Sequence, residues 1–115
     1  GTNFSESIFN HTTIRDCKGD YVIFSMSKLR NVSFNQCFLR GGGLDNCQFT
    51  NVEFEHCNLV EAELHRTSLK GIDLTSSEIA GIRIGSIPGG ELKGATVTSL
   101  QALDIARMLG ITIKD

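Results

Sequence analysis

The sequence has little excess charge of either sign and no long apolar run. Its 13 acidic and 11 basic residues leave a formal net charge of −2 at pH 7. A nearly neutral chain gives no bulk electrostatic reason to bind nucleic acid or an anionic membrane surface. No apolar stretch approaches the ~20 residues that a membrane-spanning helix needs. We therefore expect neither direct contact with nucleic acid nor a membrane span.

Recognisable catalytic chemistry is also lacking. The sequence contains no motif that joins a nucleophile to a histidine and an orienting acid, no cofactor fingerprint and no metal-ligand spacing. The run Gly41–Gly43 would make one corner flexible, but a phosphate-binding loop would also need a following helix N-terminus. The sequence thus predicts a protein that is not an enzyme and has no catalytic, cofactor-binding or metal-binding residues.

What the sequence does have is a large apolar residue at every fifth position. From Phe34 to Leu74 each fifth residue is Phe or Leu, and the same register runs from Phe4 to Ile84 with a single exception, Gly19. A helix repeats about every 3.6 residues and a strand about every 2, so neither places these side chains on one face. An ordinary β-sandwich would also need turn residues about every 8 to 12 positions. The period of five therefore indicates a solenoid.

A small or compact side chain stands two residues before each large one. This second series contains no charged residue, and each unit reads small, polar, large apolar, polar, polar, as in residues 62–66. Two inward residues in each unit are what a coil needs if it turns a corner once per unit. Four such sides would close a square, and residues 20 apart would then stack on successive coils.

This pattern resembles the pentapeptide-repeat family, whose repeat is written A-(D/N)-L-x-x, over residues 2–84 and again over residues 95–97. The resemblance implies an all-β solenoid, a right-handed quadrilateral β-helix. We expect the repeat domain to cover residues 1–97, regular to 84 and irregular from 85 to 97, because Leu92 follows Ile84 with three residues inserted. The expected core stacks contain Phe34, Phe54, Leu44, Leu64, Phe49, Leu69 and Leu59.

The four cysteines occupy the small inward position of the repeat; they are Cys17, Cys37, Cys47 and Cys57. Neighbouring coils at ~4.8 Å would permit a disulfide. Three cysteines in one column cannot all pair, however, and Cys47 belongs to another column, so free buried thiols that act as small hydrophobes are favoured. Reduced thiols favour a cytoplasmic location. No signal peptide is recognisable in the sequence, but because it begins at Gly1 inside a repeat unit we expect a truncated or processed protein, and the absence carries little weight.

Outward charges differ from one side of the expected coil to the next. Around the column of Phe34 and Phe54, four acids accompany one base, Arg15; the acids are Asp16, Glu53, Glu55 and Asp73. Around the neighbouring column Lys28, Arg30 and Lys70 have no acid beside them. The four acids form a candidate acidic interaction face. A solvated outer row carries charge without binding anything, so this alternative stays open.

The period changes after residue 97. Thr98 and Ser99 are helix-capping residues, residues 100–109 contain good helix formers, and Gly110 suits the residue after the helix. We therefore predict a C-terminal capping and dimerisation helix with a short tail in residues 98–115. Such a helix would cover the open end of the solenoid, whose edge groups and core are otherwise unpaired.

The predicted helix is apolar on more than one side. We expect Leu103 and Ala106 to lie against the last coil, near Leu92 and Val97. The remaining apolar surface needs a partner, and a two-fold homodimer would supply one. The candidate dimer interface contains Ile105, Met108, Leu109, Ile111 and Ile113.

Residues 92–111 resemble the C-terminal part of the quinolone-resistance (Qnr-like) and mycobacterial fluoroquinolone-resistance pentapeptide proteins. That resemblance implies a rod that mimics duplex DNA and binds DNA gyrase, a type II topoisomerase. Charge argues against full mimicry, because ~24 Å of B-DNA would carry roughly 14 phosphates, whereas the acidic face has four acids and one base. Two hypotheses remain. The protein is either a structural or interaction protein with an unknown partner, or a DNA mimic that binds gyrase and affects quinolone susceptibility.

Overall fold

The computed structural model describes residues 2–85 and 90–114, which form a rod of 43 × 26 × 25 Å. One parallel sheet contains β1 (Ile8–Arg15), β2 (Lys28–Asn35) and β3 (Gln48–Glu55), in that order. Paired residues are 20 apart in sequence, as Leu29 is from Phe9 and from Phe49. Isolated parallel bridges within residues 3–83, such as that between Glu63 and Arg83, keep the same separation on other sides of the coil. The chain is therefore a β-helix in which each turn contains four repeat units, as the period of five predicts.

The coil turns at residues with a left-handed backbone. The φ angle is positive at every fifth residue from Glu6 to Gly71 and again at Gly81. Four such residues in each turn divide the coil into four short sides. Asparagine tolerates this conformation better than most residues. At one corner Asn31 and Asn51 lie on successive coils, and Asn51 Nδ2 donates to Asn31 Oδ1 at 2.7 Å.

The interior of the coil is filled by the large residue of each repeat. Phe34 and Phe54 lie on successive coils with ring centroids 5.1 Å apart and planes inclined by 6°, and they are 1% and 2% exposed. Leu44, Leu59, Leu64 and Leu69 are likewise buried, and Phe49 is partly buried against them. Burying one such side chain stabilises the fold by about 1.5 to 3 kcal/mol.

The small inward residue differs between columns. In two columns it is aliphatic or glycine for most of the length, and in the other two it carries a hydroxyl or a thiol. The latter are Ser7, Ser27, Cys47 and Thr67, and Cys17, Cys37, Cys57 and Ser77. Ser77 Oγ donates to Phe54 O at 3.3 Å and accepts the N–H of Cys57 at 3.1 Å. The hydroxyl therefore joins two coils by pairing backbone groups that would otherwise stay unpaired.

The cysteines use the same position. All four are free, and Cys17 is less buried than the other three. Cys57 Sγ donates to Phe34 O and Cys47 Sγ to Phe24 O, at 3.4 and 3.1 Å. A thiol is a weak hydrogen-bond donor. Cys37, Cys47 and Cys57 thus act as donors to the neighbouring coil as well as small apolar residues.

Gly41–Gly43 lie in a closely packed corner of the coil, and the flexibility predicted there stays a prediction. Gly41 has a φ of 65°, and a Cβ there would lie 2.5 Å from the ring of Tyr21. A Cβ at Gly42 would lie 2.9 Å from the carbonyl oxygen of Leu39. Backbone hydrogen bonds also hold all three residues in the coil. Glycine is needed at positions 41 and 42 because the tyrosine ring and the backbone approach too closely for a side chain.

The last coil contains the inserted residues that the sequence predicts. Asp73 pairs with Thr96, whereas the regular register would pair it with Lys93. The N–H of Leu74 donates to Thr96 O at 2.9 Å. Part of the predicted interruption, residues 86–89, lies outside the described residues. The register of the coil therefore resumes with an offset of three.

One helix, α1 (Ser99–Met108), follows the last coil. Thr98 is its N-cap, and a capping box joins it to Gln101: Thr98 Oγ1 accepts the Gln101 N–H and Gln101 Oε1 accepts the Thr98 N–H. The amide nitrogen of the same side chain holds the helix on the coil, because Gln101 Nε2 donates to Leu74 O and to Ser77 O, each at 2.8 Å. One glutamine thus starts the helix and pairs two carbonyl groups of the last coil.

The helix lies on the coil through a different side from the one predicted. Ile105 packs against the core, whereas Leu103 is 37% exposed. The prediction is therefore wrong for Ile105 and Leu103, whereas Ala106, which was predicted to face inward with Leu103, is partly buried. Gln101 explains the rotation, because Ile105 follows it by four positions and so lies on the same face of the helix. Within the described residues no helix is both long and apolar enough to cross a membrane.

Candidate interaction surface

Three of the four predicted acids lie together. Glu53 and Glu55 point outward from β3 and alternate with Val52 and Phe54, which are buried, because successive strand residues face opposite sides. Both acids line one surface depression together with Asp73 from the next coil. We call the surface formed by Glu53, Glu55 and Asp73 the acidic side.

Asp16 does not belong to the acidic side. It is a corner residue with a φ of 50°, and it lines a separate depression with Lys18 and Glu78. On the first coil, the position that corresponds to Glu55 is occupied by Arg15, which lines a further depression beside Glu55. The predicted acidic face is therefore shorter than the sequence suggested, and it has a base near one end.

Neutral donors hold the acids in place. Asn35 Nδ2 donates to Glu55 Oε2 at 3.2 Å. The Asp73 carboxylate accepts the Thr75 hydroxyl at 2.6 Å and the Thr75 N–H at 2.8 Å, and these bonds lower the pKa of Asp73. Two ion pairs occur within the part of the chain that the structure describes, both away from this side; they join Arg40 to Glu61 and Arg107 to Asp104. The negative charge of the acidic side is therefore not neutralised by an ion pair.

The adjacent side carries positive charge. Lys28 and Arg30 project from β2 and line a depression with Ile8 from β1. Lys70, predicted with them, also reaches the depression that contains the acids. The rod thus presents two neighbouring sides of opposite charge, with Lys70 near the boundary between them.

Two polar residues of structural importance were not predicted from the sequence. Gln101 falls among ordinary helix formers, so nothing in its type signals a docking contact. Glu91 is a buried acid at the start of the offset coil, and its position just after a glycine-rich interruption was the one available signal. The rings of Tyr21 and Phe38 are exposed. Both residues stand at positions that the five-residue register identifies as outward.

The described part of this surface contains no candidate metal site. Among residues 2–85 and 90–114, no group of three or more His, Cys, Asp or Glu residues could hold a metal ion. The acids of the acidic side are arranged along a row on the outside of a rod.

Comparison with known proteins identifies the repeat. A family model described as a pentapeptide repeat region matches residues 1–64. The chain belongs to the pentapeptide-repeat family. The family prediction is thereby confirmed. No curated protein sequence matches the chain.

Two solved structures of pentapeptide-repeat proteins are similar to the chain. Full-length QnrB1, described as a plasmid-mediated fluoroquinolone resistance protein, is 16% identical with a TM-score of 0.43, over 96% of this chain and 74% of QnrB1. Rfr23, a pentapeptide repeat protein from the cyanobacterium Cyanothece 51142, is 13% identical with a TM-score of 0.35, over 84% of this chain and 88% of Rfr23. At these values neither likeness bears on a partner.

Proposed function

We propose that this pentapeptide-repeat chain is a non-enzymatic interaction protein that binds a macromolecular partner through its acidic side. The observation that carries the proposal is the row formed by Glu53, Glu55 and Asp73. β3 holds the first two on a rigid backbone, and their charge is not neutralised by an ion pair among the described residues. A partner with a basic surface fits this row, since complementary charge steers association and fixes orientation.

We also propose the hand and the four-sided cross-section of the β-helix, its domain bounds and the location of the protein. The β-helix is taken to be right-handed and quadrilateral, with residues 1–97 as the repeat domain and 98–115 as the C-terminal capping and dimerisation helix with its short tail. Four left-handed corners in each coil support the four sides, and the strong preference of parallel crossover connections supports the hand. The four free thiols support a cytoplasmic location.

Site-specific crosslinking tests the acidic side directly. A photoreactive amino acid at position 53 should crosslink a partner in cells that produce the protein, and the same group at position 78 should not. Glu78 is the matched control because it is exposed and lies on another side of the coil. Replacing Glu55 and Asp73 by their amides should weaken crosslinking from position 53. Equal crosslinking from both positions would refute a specific acidic interface.

We also propose that a second copy of the chain packs on the C-terminal end. Met108 and Ile111 are exposed apolar residues there, next to the partly buried Leu109 and Ile113. Leu109→Glu should give a folded monomer, whereas Leu100→Glu, at an exposed site at the start of α1, should leave a dimer intact. Sedimentation of the unmodified protein as a monomer at roughly tens of micromolar would contradict the dimer.

A second candidate function is a DNA mimic that binds gyrase. The specific observation in its favour is that acids of successive coils, such as Glu53 and Asp73, share one depression, where strand spacing gives a repeat of ~4.8 Å. If this function is correct, the protein should inhibit supercoiling by gyrase or protect the enzyme from a quinolone. The triple variant Glu53→Gln, Glu55→Gln, Asp73→Asn should lose that effect.

The control for the gyrase assay changes the same net charge elsewhere. It is the triple variant Glu61→Gln, Glu63→Gln, Glu78→Gln, whose residues lie outside the acidic side. A DNA mimic that uses the acidic side should retain its effect in this control. If both triple variants lose the effect equally, general charge is responsible and the acidic side is not the interface.

A further inference from the structure

At the place where the inserted residues interrupt the coil, a side chain replaces a backbone group. The corner residues Met26 and Asn46 donate their N–H groups to backbone carbonyls of the next coil. At the following corner of this column, the N–H of Arg66 instead donates to Glu91 Oε2, at 3.1 Å. The same oxygen accepts the N–H of Gly85 at 2.7 Å. The Glu91 carboxylate thus continues a ladder that the backbone leaves incomplete.

Glu91 joins the last regular coil to the segment that follows. Its backbone carbonyl accepts the N–H of Leu69 at 2.9 Å, so this one residue receives three backbone hydrogen bonds from the coil. Glu91 is 7% exposed, and no other charged residue in the described ranges 2–85 and 90–114 is buried. An ionised carboxylate accepts hydrogen bonds more strongly than a neutral group does, so the two bonds to Glu91 Oε2 depend on its charge.

The groups around the carboxylate favour its ionised form. His65 and Arg66 line the depression beside it, together with the neutral Asn46 and Ser68. Burial by itself would raise the pKa of Glu91, but the N–H groups of Arg66 and Gly85 and the charge of His65 outweigh burial and hold the pKa below its ordinary value. No residue of α1 is fully buried, so the C-terminal segment is less firmly packed than the coils.

We propose that Glu91 is a carboxylate latch for the cap, defined as residues 90–114. Ionised Glu91 holds the cap on the last coil, and loss or neutralisation of its charge lets the cap open more often while the coils stay folded. Local opening of this kind is expected at a region with few buried contacts. The proposal does not depend on a dimer or on any partner.

Hydrogen exchange on the full chain at neutral pH tests the latch. In Glu91→Gln, the amides of Arg66 and Leu69 and those of α1 should exchange about 10-fold faster than in the parent protein. The amide of Phe34, in β2, should keep its parent rate. Glu78→Gln removes an exposed acid from another side and should change none of these rates.

Two outcomes would overturn the latch. In one, the Arg66 and α1 amides of Glu91→Gln remain as protected as in the parent. In the other, the Phe34 amide accelerates by the same factor as the cap, which would mean that the whole rod opens. Chemical rescue adds a further readout: formate should restore protection of the Arg66 amide in Glu91→Ala, and chloride at equal ionic strength should not.

Acid titration of the parent protein keeps the proposal testable if the variants do not fold. Glu91 has a folded pKa below its unfolded value of 4.5. Its contribution is therefore present above that value and is lost as pH falls through the folded pKa. The cap amides should lose protection in this acid range before the Phe34 amide does. Asp45 is a second acid near this corner, and Asp45→Asn should leave the acid loss of cap protection unchanged. Simultaneous loss of protection in the cap and in β2 would refute the latch.

Discussion

Backbone hydrogen bonds join the coils to one another and the cap to the last regular coil, but the cap also relies on side chains. In residues 2–85 the repeat forms the same backbone hydrogen bond again and again, as from Phe24 to Gly43, from Leu44 to Glu63 and from Leu64 to Arg83. In the cap the register is offset, and the side chains of Glu91 and Gln101 supply bonds that the backbone cannot. A solenoid distributes its stability over equivalent neighbours, whereas an irregular end depends on individual side chains.

The side chains of the cap are also less buried than those of the coil interior. From Val22 to Ile82 the interior columns are buried except at Phe49, while the first coil, with Phe4 at 40% exposure, and every residue of α1 keep some exposure. The free energy of unfolding should therefore be determined mainly by the coil interior, and local opening should begin at the cap. Mutations at the two places should differ in size and in how far their effects spread.

The largest effect is expected in the interior of the coils. Phe54→Ala removes a ring that stacks on Phe34 and lies 6.0 Å from the ring of Phe49. We expect a loss of about 3 to 5 kcal/mol in the free energy of unfolding, because a cavity remains. Urea denaturation measures it. Phe38→Ala is the control, since Phe38 projects outward and is 52% exposed. Equal losses in the two variants would contradict a core that is organised by the repeat.

The interior was predictable because the repeat specifies it directly. One large apolar residue in every five reports which side chain points to the axis, and the pairing of residues 20 apart follows from four sides per turn. The acidic side was partly predictable for the same reason, since Glu53, Glu55 and Asp73 stand in equivalent rows. Asp16 was misplaced because it stands two positions after a large residue, at a corner between two sides, whereas Glu53 and Glu55 directly flank Phe54.

The cap could be predicted as an element but not in its orientation. Thr98 and Gly110 mark the ends of the helix locally. The face that α1 turns to the coil is set instead by Gln101, which reaches two carbonyls that lie a full coil earlier in the chain. Such a contact has no periodic signal in the sequence, so Ile105 and Leu103 were assigned to the wrong sides.

The second largest effect is expected at the docking residue of the cap. Gln101→Ala removes the capping box and both bonds to the last coil, and should cost about 2 to 3 kcal/mol. Gln101→Glu separates the two roles, because Glu can complete a capping box but cannot donate to Leu74 O and Ser77 O. If docking matters, thermal unfolding should show that Gln101→Glu is destabilised as well. A Glu variant as stable as the parent would show that Gln101 only caps the helix.

A smaller effect is expected where the coils themselves rely on a side chain. Thr67 is fully buried, its hydroxyl donates to Leu44 O, and it accepts the N–H of Cys47 at 3.0 Å. Thr67→Val keeps the shape but leaves two backbone groups unpaired, so about 1 to 2 kcal/mol should be lost. Thr12→Val, in a column that is otherwise aliphatic and with a partly exposed side chain, should change stability little. A similar loss in both variants would mean that the two kinds of column do not differ.

The smallest effect concerns the thiols of the coils. Burial raises the pKa of the Cys57 thiol to about 11 from an ordinary value of 9.0. Cys17, at the less buried end of the same column, should react first with a thiol reagent at pH 8, and Cys57 should react only as fast as the coil opens, because the thiolate is the reactive form. Mass spectrometry of the labelled protein gives the order, and denatured protein should show four reactive thiols.

The raised pKa of Cys57 also predicts how the stability of the coil changes at alkaline pH. A raised folded pKa means that burial of the neutral thiol stabilises the fold below the unfolded pKa of 9.0, and that this contribution is lost as pH rises toward about 11. Cys57→Ser keeps a donor for Phe34 O but does not ionise in this range, so it should lose less stability than the parent between these pH values. Labelling of Cys57 as fast as Cys17, together with the same alkaline loss of stability in the serine variant, would contradict this comparison. It would mean that the coil interior opens as readily as the cap.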